Sequence, residues 1–377
     1  MIIKTKDFQD AAKNILMAAE LDTNAANLEL VTRDGFLYLN VTNKEYYVAV
    51  KFPIDTTEQI KAVIDASLFL ELVAGIGTDT FELTIDGNVV KVKSGRSNYK
   101  IPMIFENDKL MELPVIFLAN PTVEMTIDNE ILMSILNVNT KELQKGKKLT
   151  ITELNKLYYI DETGCFTFTS GACLNQFTLE KPVKLLLNER IVKLFKLFKE
   201  SVQFAFGYDP DASGNPKPKA VFKTNNIYVA ARLTCDDILL QKIKGPCDAC
   251  KNYISESYST SLVINAQSFL AAISRLMLFT KNSINKTDMS YMPMNITFTD
   301  EELIITDDHG NTDAVTFDND GSHVDTNYSL RLNIADLKIV LDSCKTGHIT
   351  FNCGNSRSVI VSRGAISNVI PEITLKV

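Results

Sequence analysis

The sequence predicts an α+β protein of three domains, each with two helices packed on antiparallel sheets. Three observations carry that prediction. First, a short apolar strand runs six times into an Asp or Asn that opens an amphipathic helix, at Asp7, Asp65, Asp128, Asn188, Asn265 and Asn333. These positions lie 58, 63, 60, 77 and 68 residues apart, and near-constant spacing over a whole chain marks repeated architecture. Second, the text between the junctions alternates apolar and polar residues with turn residues interspersed, as antiparallel meanders do. Third, two stretches rich in Pro, Gly and Ser, 112–121 and 242–257, break the rhythm and read as linkers. Grouped in pairs, the units give domains 1–120, 121–256 and 257–377.

Each element has a local reason. An Asx side chain at a helix start accepts a hydrogen bond from a free N–H of the first turn, worth about 1 kcal/mol. Segments 28–31, 35–41 and 46–50 read as the first meander. Segments 81–85 and 89–93 read as a hairpin, because the intervening Asp86-Gly87-Asn88 tolerates positive φ. Segments 295–299, 303–306 and 314–317 repeat the pattern late in the chain. Asn188 opens a predicted helix through Lys199, with Ile191, Leu194, Phe195 and Phe198 on one face and Arg190, Lys193, Lys196 and Lys199 on the other. Asn265 opens a helix with Phe269, Ala272, Ile273 and Leu276 inward and Arg275 outward. The polar insert 209–219 accounts for the 77-residue interval and reads as a hairpin tip. It imitates a calcium loop but carries Ala220 where a bidentate Glu is needed.

Composition excludes several classes. No apolar run reaches the roughly 18 residues of a membrane span, and Met1-Ile2-Ile3-Lys4 lacks signal-peptide form. The chain is therefore expected in the cytoplasm, with its seven Cys reduced. Cys247 and Cys250 form the one close pair, but no second pair or His lies near enough for a zinc site. No metal or cofactor is expected. Three His late in the chain support no Ser/His/Asp arrangement, so no catalytic residues are assigned and no enzyme is expected. A net charge of −7 argues against a uniformly basic nucleic-acid binder, though not against one basic surface.

The paired units, together with Ser94-Gly95-Arg96-Ser97, Thr169-Ser170-Gly171-Ala172-Cys173-Leu174 and Val369-Ile370-Pro371, resemble the bacterial DNA polymerase III β subunit, the sliding clamp. The resemblance covers essentially the whole chain. It implies three DNA-clamp-like domains forming half of a closed ring, a homodimer that encircles double-stranded DNA without regard to sequence. It also implies a replication processivity factor that tethers the DNA polymerase III α subunit, the clamp loader and other proteins with clamp-binding motifs. Lys- and Asn-rich wording suits an AT-rich bacterium or its phage.

The resemblance gives the charged face a role. DNA-facing candidates are Arg190, Lys193, Lys196 and Lys199, then Lys141, Lys145, Lys147 and Lys148, with Lys13, Arg275 and Lys338 weaker. The second helix has no Lys or Arg. The resemblance also implies a partner-peptide pocket walled by Leu154, Thr169, Gly171, Leu174, Pro246, Ile370 and Pro371. Here the sequence departs from the family. Ala172-Cys173 replaces a His-Arg-like pair, and Lys244-Gly245-Pro246-Cys247-Asp248 replaces the family's Gly-x-x-Pro-Asp segment. The implied dimer interface joins Tyr99 and Ile101 to Leu278 and Phe279 of the other copy. Two rival readings stand beside it: a clamp-fold scaffold or decoy that binds clamp partners without encircling DNA, and an enzyme on a repeated scaffold, for which no convergent acid, base or metal set is offered.

Overall fold

The computed structural model describes residues 1–21, 26–56, 58–137, 157–168, 171–210, 213–233, 237–283, 291–344, 346–354 and 357–373. It contains seven α-helices among these residues: α1 Thr5–Glu20, α2 Ala66–Ala74, α3 Asn129–Asn137, α4 Glu189–Leu194, α5 Asp237–Ser255, α6 Ala266–Ser283 and α7 Ile334–Cys344. All but α5 follow the short strands expected at the six junctions. Those strands are Ile2–Lys4, Lys61–Asp65, Pro121–Ile127, Leu185–Asn188, Thr260–Asn265 and Ser329–Asn333.

These opening strands hold the units together in twos by exchange. Ile2–Lys4 pairs with Thr80–Asp86 from the second unit's meander, while Lys61–Asp65 pairs with Asn27–Arg33 from the first. The same swap joins Pro121–Ile127 to Val202–Pro210 and Leu185–Asn188 to Leu157–Asp161. It recurs where Thr260–Asn265 pairs with His348–Cys353 and Ser329–Asn333 with Pro293–Phe298. Neither member of a pair can complete its sheet without the other.

Two compact units result, one of Met1–Met133 with Arg190–Cys235, the other of Ser134–Glu189 with Asp236–Val377. Each contains a sheet that runs across a boundary between paired repeats. In the first, Ile227–Arg232 pairs with Tyr46–Pro53 inside an eight-stranded sheet. In the second, Ala172–Gln176 pairs with Ile366–Pro371 inside a nine-stranded sheet. Each unit also has a four-stranded sheet, ending respectively in the edge strands Ser97–Pro102 and Thr312–Thr316. Phe8 on α1 centres one core, edge-on to Phe52, Phe69 and Phe81. Phe269 on α6 meets Phe351 in another. Leu262, Leu276, Leu337 and Val361 complete that layer.

The Asx positions act in more than one way. Asp65 caps α2 by accepting the Leu68 N–H at 2.7 Å, and Asn265 caps α6 by accepting from Gln267 and Ser268 at 3.1 Å. Asn333 instead accepts the Met292 N–H and donates to Asp336, both at 2.8 Å. Asp7 does not open its helix: α1 starts at Thr5, leaving the carboxylate in the first turn, where it opposes the dipole. The polar insert is a hairpin paired out to Pro210 and Pro216. Its Asp209 is buried and accepts from Lys219 and the Ala119 N–H at 3.0 Å, pinning segment 111–120 to the sheet.

Two helix expectations are overturned. The helix from Asn188 is only six residues long and tightens into a 3₁₀ turn at Phe195–Leu197. Leu194, Phe195, Leu197 and Phe198 are all buried. The three-residue winding stacks Leu194 over Leu197 and Phe195 over Phe198 as i, i+3 pairs. The expected linker 242–257 is mostly helix, because α5 runs 19 residues straight through Gly245 and Pro246. Pro246 lacks the N–H that would bond to the carbonyl four residues back. Opposing that cost, Ile243, Cys247 and Cys250 are buried in one stripe against Tyr159, Phe166 and Leu174.

Candidate functional site

α5 lies over strands Ala172–Gln176, Ile366–Pro371 and Ser358–Arg363 of the nine-stranded sheet. Two devices hold it there. Its apolar stripe includes the thiols of Cys247 and Cys250, which burial pushes up to about 11 and about 12, so they pack as small apolar groups. At its far end, the Lys251 ammonium donates to the Asp161 carboxylate at 2.8 Å and to the Thr163 hydroxyl at 2.7 Å.

Burial alone would raise the Asp161 pKa. The bonds from Lys251 and from the Thr163 hydroxyl and N–H outweigh it, and the carboxyl is held below its ordinary range. Burial would lower Lys251, but its bond to Asp161 outweighs that and raises it. Asp161 therefore contributes stability above the unfolded carboxylate pKa of about 3.9, lost as pH falls through its lower folded value. Lys251 contributes below its unfolded pKa of about 10.4, lost as pH rises through its higher folded value. Lys251→Met is expected to cost about 1–2 kcal/mol at neutral pH. The cost should shrink once the pH falls below the lowered folded value of Asp161, and urea titrations at neutral and at strongly acid pH would check this. An equal loss at both would remove the pair from the account.

Between α5 and the sheet lies a cavity of about 270 Å³. Pro246, Ala249, Cys250 and Tyr253 form its helical wall, spaced i, i+3, i+4 and i+7 on one face. Phe168, Gly171, Ala172, Val369 and Pro371 form the sheet side, and Arg357 with Ser358 adds the polar part. Gly171 is required by proximity, since a Cβ there would lie 1.9 Å from the Val369 carbonyl oxygen.

Of the residues expected in a peptide pocket, the structure brings Gly171, Pro246 and Pro371 onto this one wall. Leu174 and Ile370 are each 1% exposed and belong to the cores behind it, where no ligand reaches them directly. Alternation turns Ile370 to the face opposite Val369 and Pro371, whereas Leu174 shares the face of Ala172 but is covered by Ile243, Cys247 and Cys250 of α5. Leu154 and Thr169 lie outside the described residues. Sequence reasoning missed Ala249, Cys250, Tyr253, Phe168, Arg357, Ser358 and Val369. The helical ones were concealed by reading α5 as a linker.

The expected DNA-facing cations divide. Lys13, Lys196 and Lys199 are exposed, and Lys193 is half-buried. Arg190 pairs with Glu45 at 3.3 Å. Lys338 pairs with Asp342 one turn on. Arg275 is exposed on the outward face as expected, but its guanidinium grips Asp313 of the edge strand Thr312–Thr316 at 2.7 and 2.9 Å. Lys141, Lys145, Lys147 and Lys148 lie outside the described residues. Among the expected interface residues, Tyr99, Leu278 and Phe279 are 41, 61 and 55% exposed. Ile101 shares a strand face with Tyr99 but is 2% exposed, covered by its own core, so its side chain cannot reach a second copy.

No protein-family model matches the sequence, and no curated protein matches it. Solved structures match from end to end. The DNA polymerase III β subunit of Thermotoga maritima aligns at TM-score 0.72 and 14% identity, covering 99% of each chain. The DNA polymerase sliding clamp of Bacillus subtilis aligns at 0.72 and 14%, covering 99% of this chain and 98% of that one. A DnaN sliding clamp of Pseudomonas aeruginosa, bound to griselimycin, aligns at 0.75 and 12%, covering 100% and 99%. At such identity the likeness is one of fold: this chain has the DNA polymerase III β subunit fold over its full length. Among the described residues no helix is long and apolar enough to cross a membrane.

Proposed function

We propose that the chain is a sliding clamp, a processivity factor for DNA replication with no catalysis of its own. In this reading two copies close head to tail into a ring around duplex DNA. The cavity under α5 takes an apolar peptide from the DNA polymerase III α subunit, the clamp loader or another protein with a clamp-binding motif. The observation that carries the reading is the end-to-end fold match to solved clamps, reaching 100% of both chains in one Pseudomonas aeruginosa β subunit. Contacts to phosphate carry no sequence information, which suits a protein that must slide.

A second reading has its own support. Arg190, Arg275 and Lys338 are each ion-paired, α2 carries no cation, and the net charge is −7. A clamp-fold scaffold that binds clamp partners without encircling DNA fits those features. Loading by a clamp loader onto nicked circular DNA separates the two. A ring co-elutes with the circle at moderate salt and is released when the circle is linearised. Protein that never associates, or whose association survives linearisation, belongs to the second reading.

A further inference from the structure

The buried stripe of α5 contains two thiols three residues apart. Cys247 and Cys250 are 1 and 2% exposed and unbridged, and of the two only Cys250 lines the cavity. The turn that joins them starts at the weakest point of the helix. Pro246 has no N–H for the carbonyl four residues back, and Gly245 adds backbone freedom. The Lys244–Asp248 pair that spans this break at 2.9 Å is half exposed on both sides and contributes little. Just beyond Cys250, Lys251 is bonded to Asp161 and Thr163. The chain after the thiols is therefore held, while the chain before them yields. By helix geometry the two Cα atoms lie about 5 Å apart, inside the range of about 4.4–6.8 Å that a disulfide spans. The Cβ atoms of residues three apart on a helix lie about 5–6 Å from each other, whereas a disulfide needs about 3.5–4.5 Å. A bridge here requires no long movement, but it cannot close without unwinding the turn.

We infer that Cys247 and Cys250 form a dithiol switch: oxidation to a disulfide unwinds the turn from Pro246 to Cys250 and takes apart the helical wall of the cavity. The oxidant is a low-molecular-weight disulfide, which meets Cys250 through the cavity. The Cys250 thiolate attacks one sulfur of that disulfide, breaks its S–S bond and releases one small thiol. The Cys247 thiolate then attacks the Cys250 sulfur of the mixed disulfide and releases the second. Two electrons pass to the small disulfide, and the two protons lost by the cysteines leave on the two released thiols. An excess of reducing thiol reverses both steps. Burial holds both cysteines protonated at neutral pH, so the exchange is slow and answers sustained oxidation. Pro246, Ala249 and Cys250 leave the wall together, which ends peptide capture; that consequence alone rests on the peptide-pocket reading.

The full chain is incubated under native conditions with bis(2-hydroxyethyl) disulfide, small enough for a cavity of about 270 Å³, and its cysteines are mapped by peptide mass spectrometry. The wild type is expected to lose two hydrogen atoms across 247–250. Cys247→Ala should stop at the mixed disulfide on Cys250, and Cys250→Ala should give neither product at this pair. Amide hydrogen exchange over 243–250 should quicken about tenfold in the oxidised chain and return to its first rate after dithiothreitol. Acetyl-Leu-Leu-Phe amide should bind the reduced chain and lose about tenfold or more in affinity on oxidation. Reaction at this pair only in urea, or only at other cysteines, overturns the switch and leaves the two thiols as packing groups. A mapped bridge with unchanged exchange overturns it as well, because the turn then tolerates the disulfide. No peptide binding to the reduced chain overturns the pocket reading, while the mapped bridge and its exchange signature still decide the switch.

Discussion

Gly171→Ala is expected to destabilise the second unit by about 3 kcal/mol, near the upper end for forcing an extra group into a packed site. The added Cβ would fall 1.9 Å from the Val369 carbonyl oxygen. That atom is backbone in a strand paired on both sides, so it cannot swing away as a side chain would. Relief requires Ile366–Pro371 to move off Ala172–Gln176, which breaks the register joining Ala172 to Val369 and Leu174 to Ser367. The same movement displaces Val369 and Pro371 from the cavity wall, so loss of peptide binding should accompany loss of stability. Differential scanning calorimetry should show a Tm lowered by several degrees, about 2–4 °C per kcal/mol for a unit of this size. Gly245→Ala is the control. It sits inside α5 with open space around its Cβ position, and should stabilise by up to about 1 kcal/mol through helix propensity. An unchanged Tm for Gly171→Ala would remove the close approach. A lower Tm for Gly245→Ala would remove the helix.

Those two glycines mark what could and could not be read in advance. The six junctions were legible because periodicity changes from two to 3.6 at each one, and apolar side chains follow the change. The meanders were legible for the same reason. What the local text concealed is α5. Gly245-Pro246 is the strongest punctuation in the region, yet Ile243, Cys247 and Cys250 were already spaced along one helical stripe, with Ile254 a turn beyond. Burial of that stripe overrode the breakers, as tertiary packing often overrides propensity. The cavity was half-legible on this account: its sheet wall follows from strands, but its other wall exists only once α5 is a helix. Inward or outward direction was the other failure. Leu174, Ile370 and Ile101 lie on the right strands, but whether a side chain faces ligand, partner or core depends on what covers it, which no local pattern carries.

Leu278→Asp combined with Phe279→Asp is expected to abolish self-association while leaving the fold intact. Both side chains are more than half exposed on α6, past the buried stripe of Phe269, Ala272, Ile273 and Leu276, so the substitutions cost the isolated chain little. They share a helical face with Arg275, at i+3 and i+4, and Arg275 is bonded to Asp313 on the edge strand Thr312–Thr316. The helix end and that open edge therefore form one continuous surface. The other four-stranded sheet ends in Ser97–Pro102, which carries the exposed Tyr99. Unpaired edges expose backbone donors and acceptors and invite another strand, so in the proposed ring the edge of one copy meets that of the next, with Leu278 and Phe279 covering Tyr99. Two apolar anchors of this kind contribute about 2 kcal/mol each, and their replacement by carboxylates should weaken each of the ring's two interfaces by roughly a thousandfold. Sedimentation equilibrium at micromolar concentration should then report one chain in place of two. The wild-type Tm should rise with protein concentration and the variant's should not, because only a dimer is stabilised by mass action. A variant that keeps the wild-type mass would place the interface elsewhere, and a wild type with a concentration-independent Tm and the mass of one chain would leave the proposed ring without its closing contact.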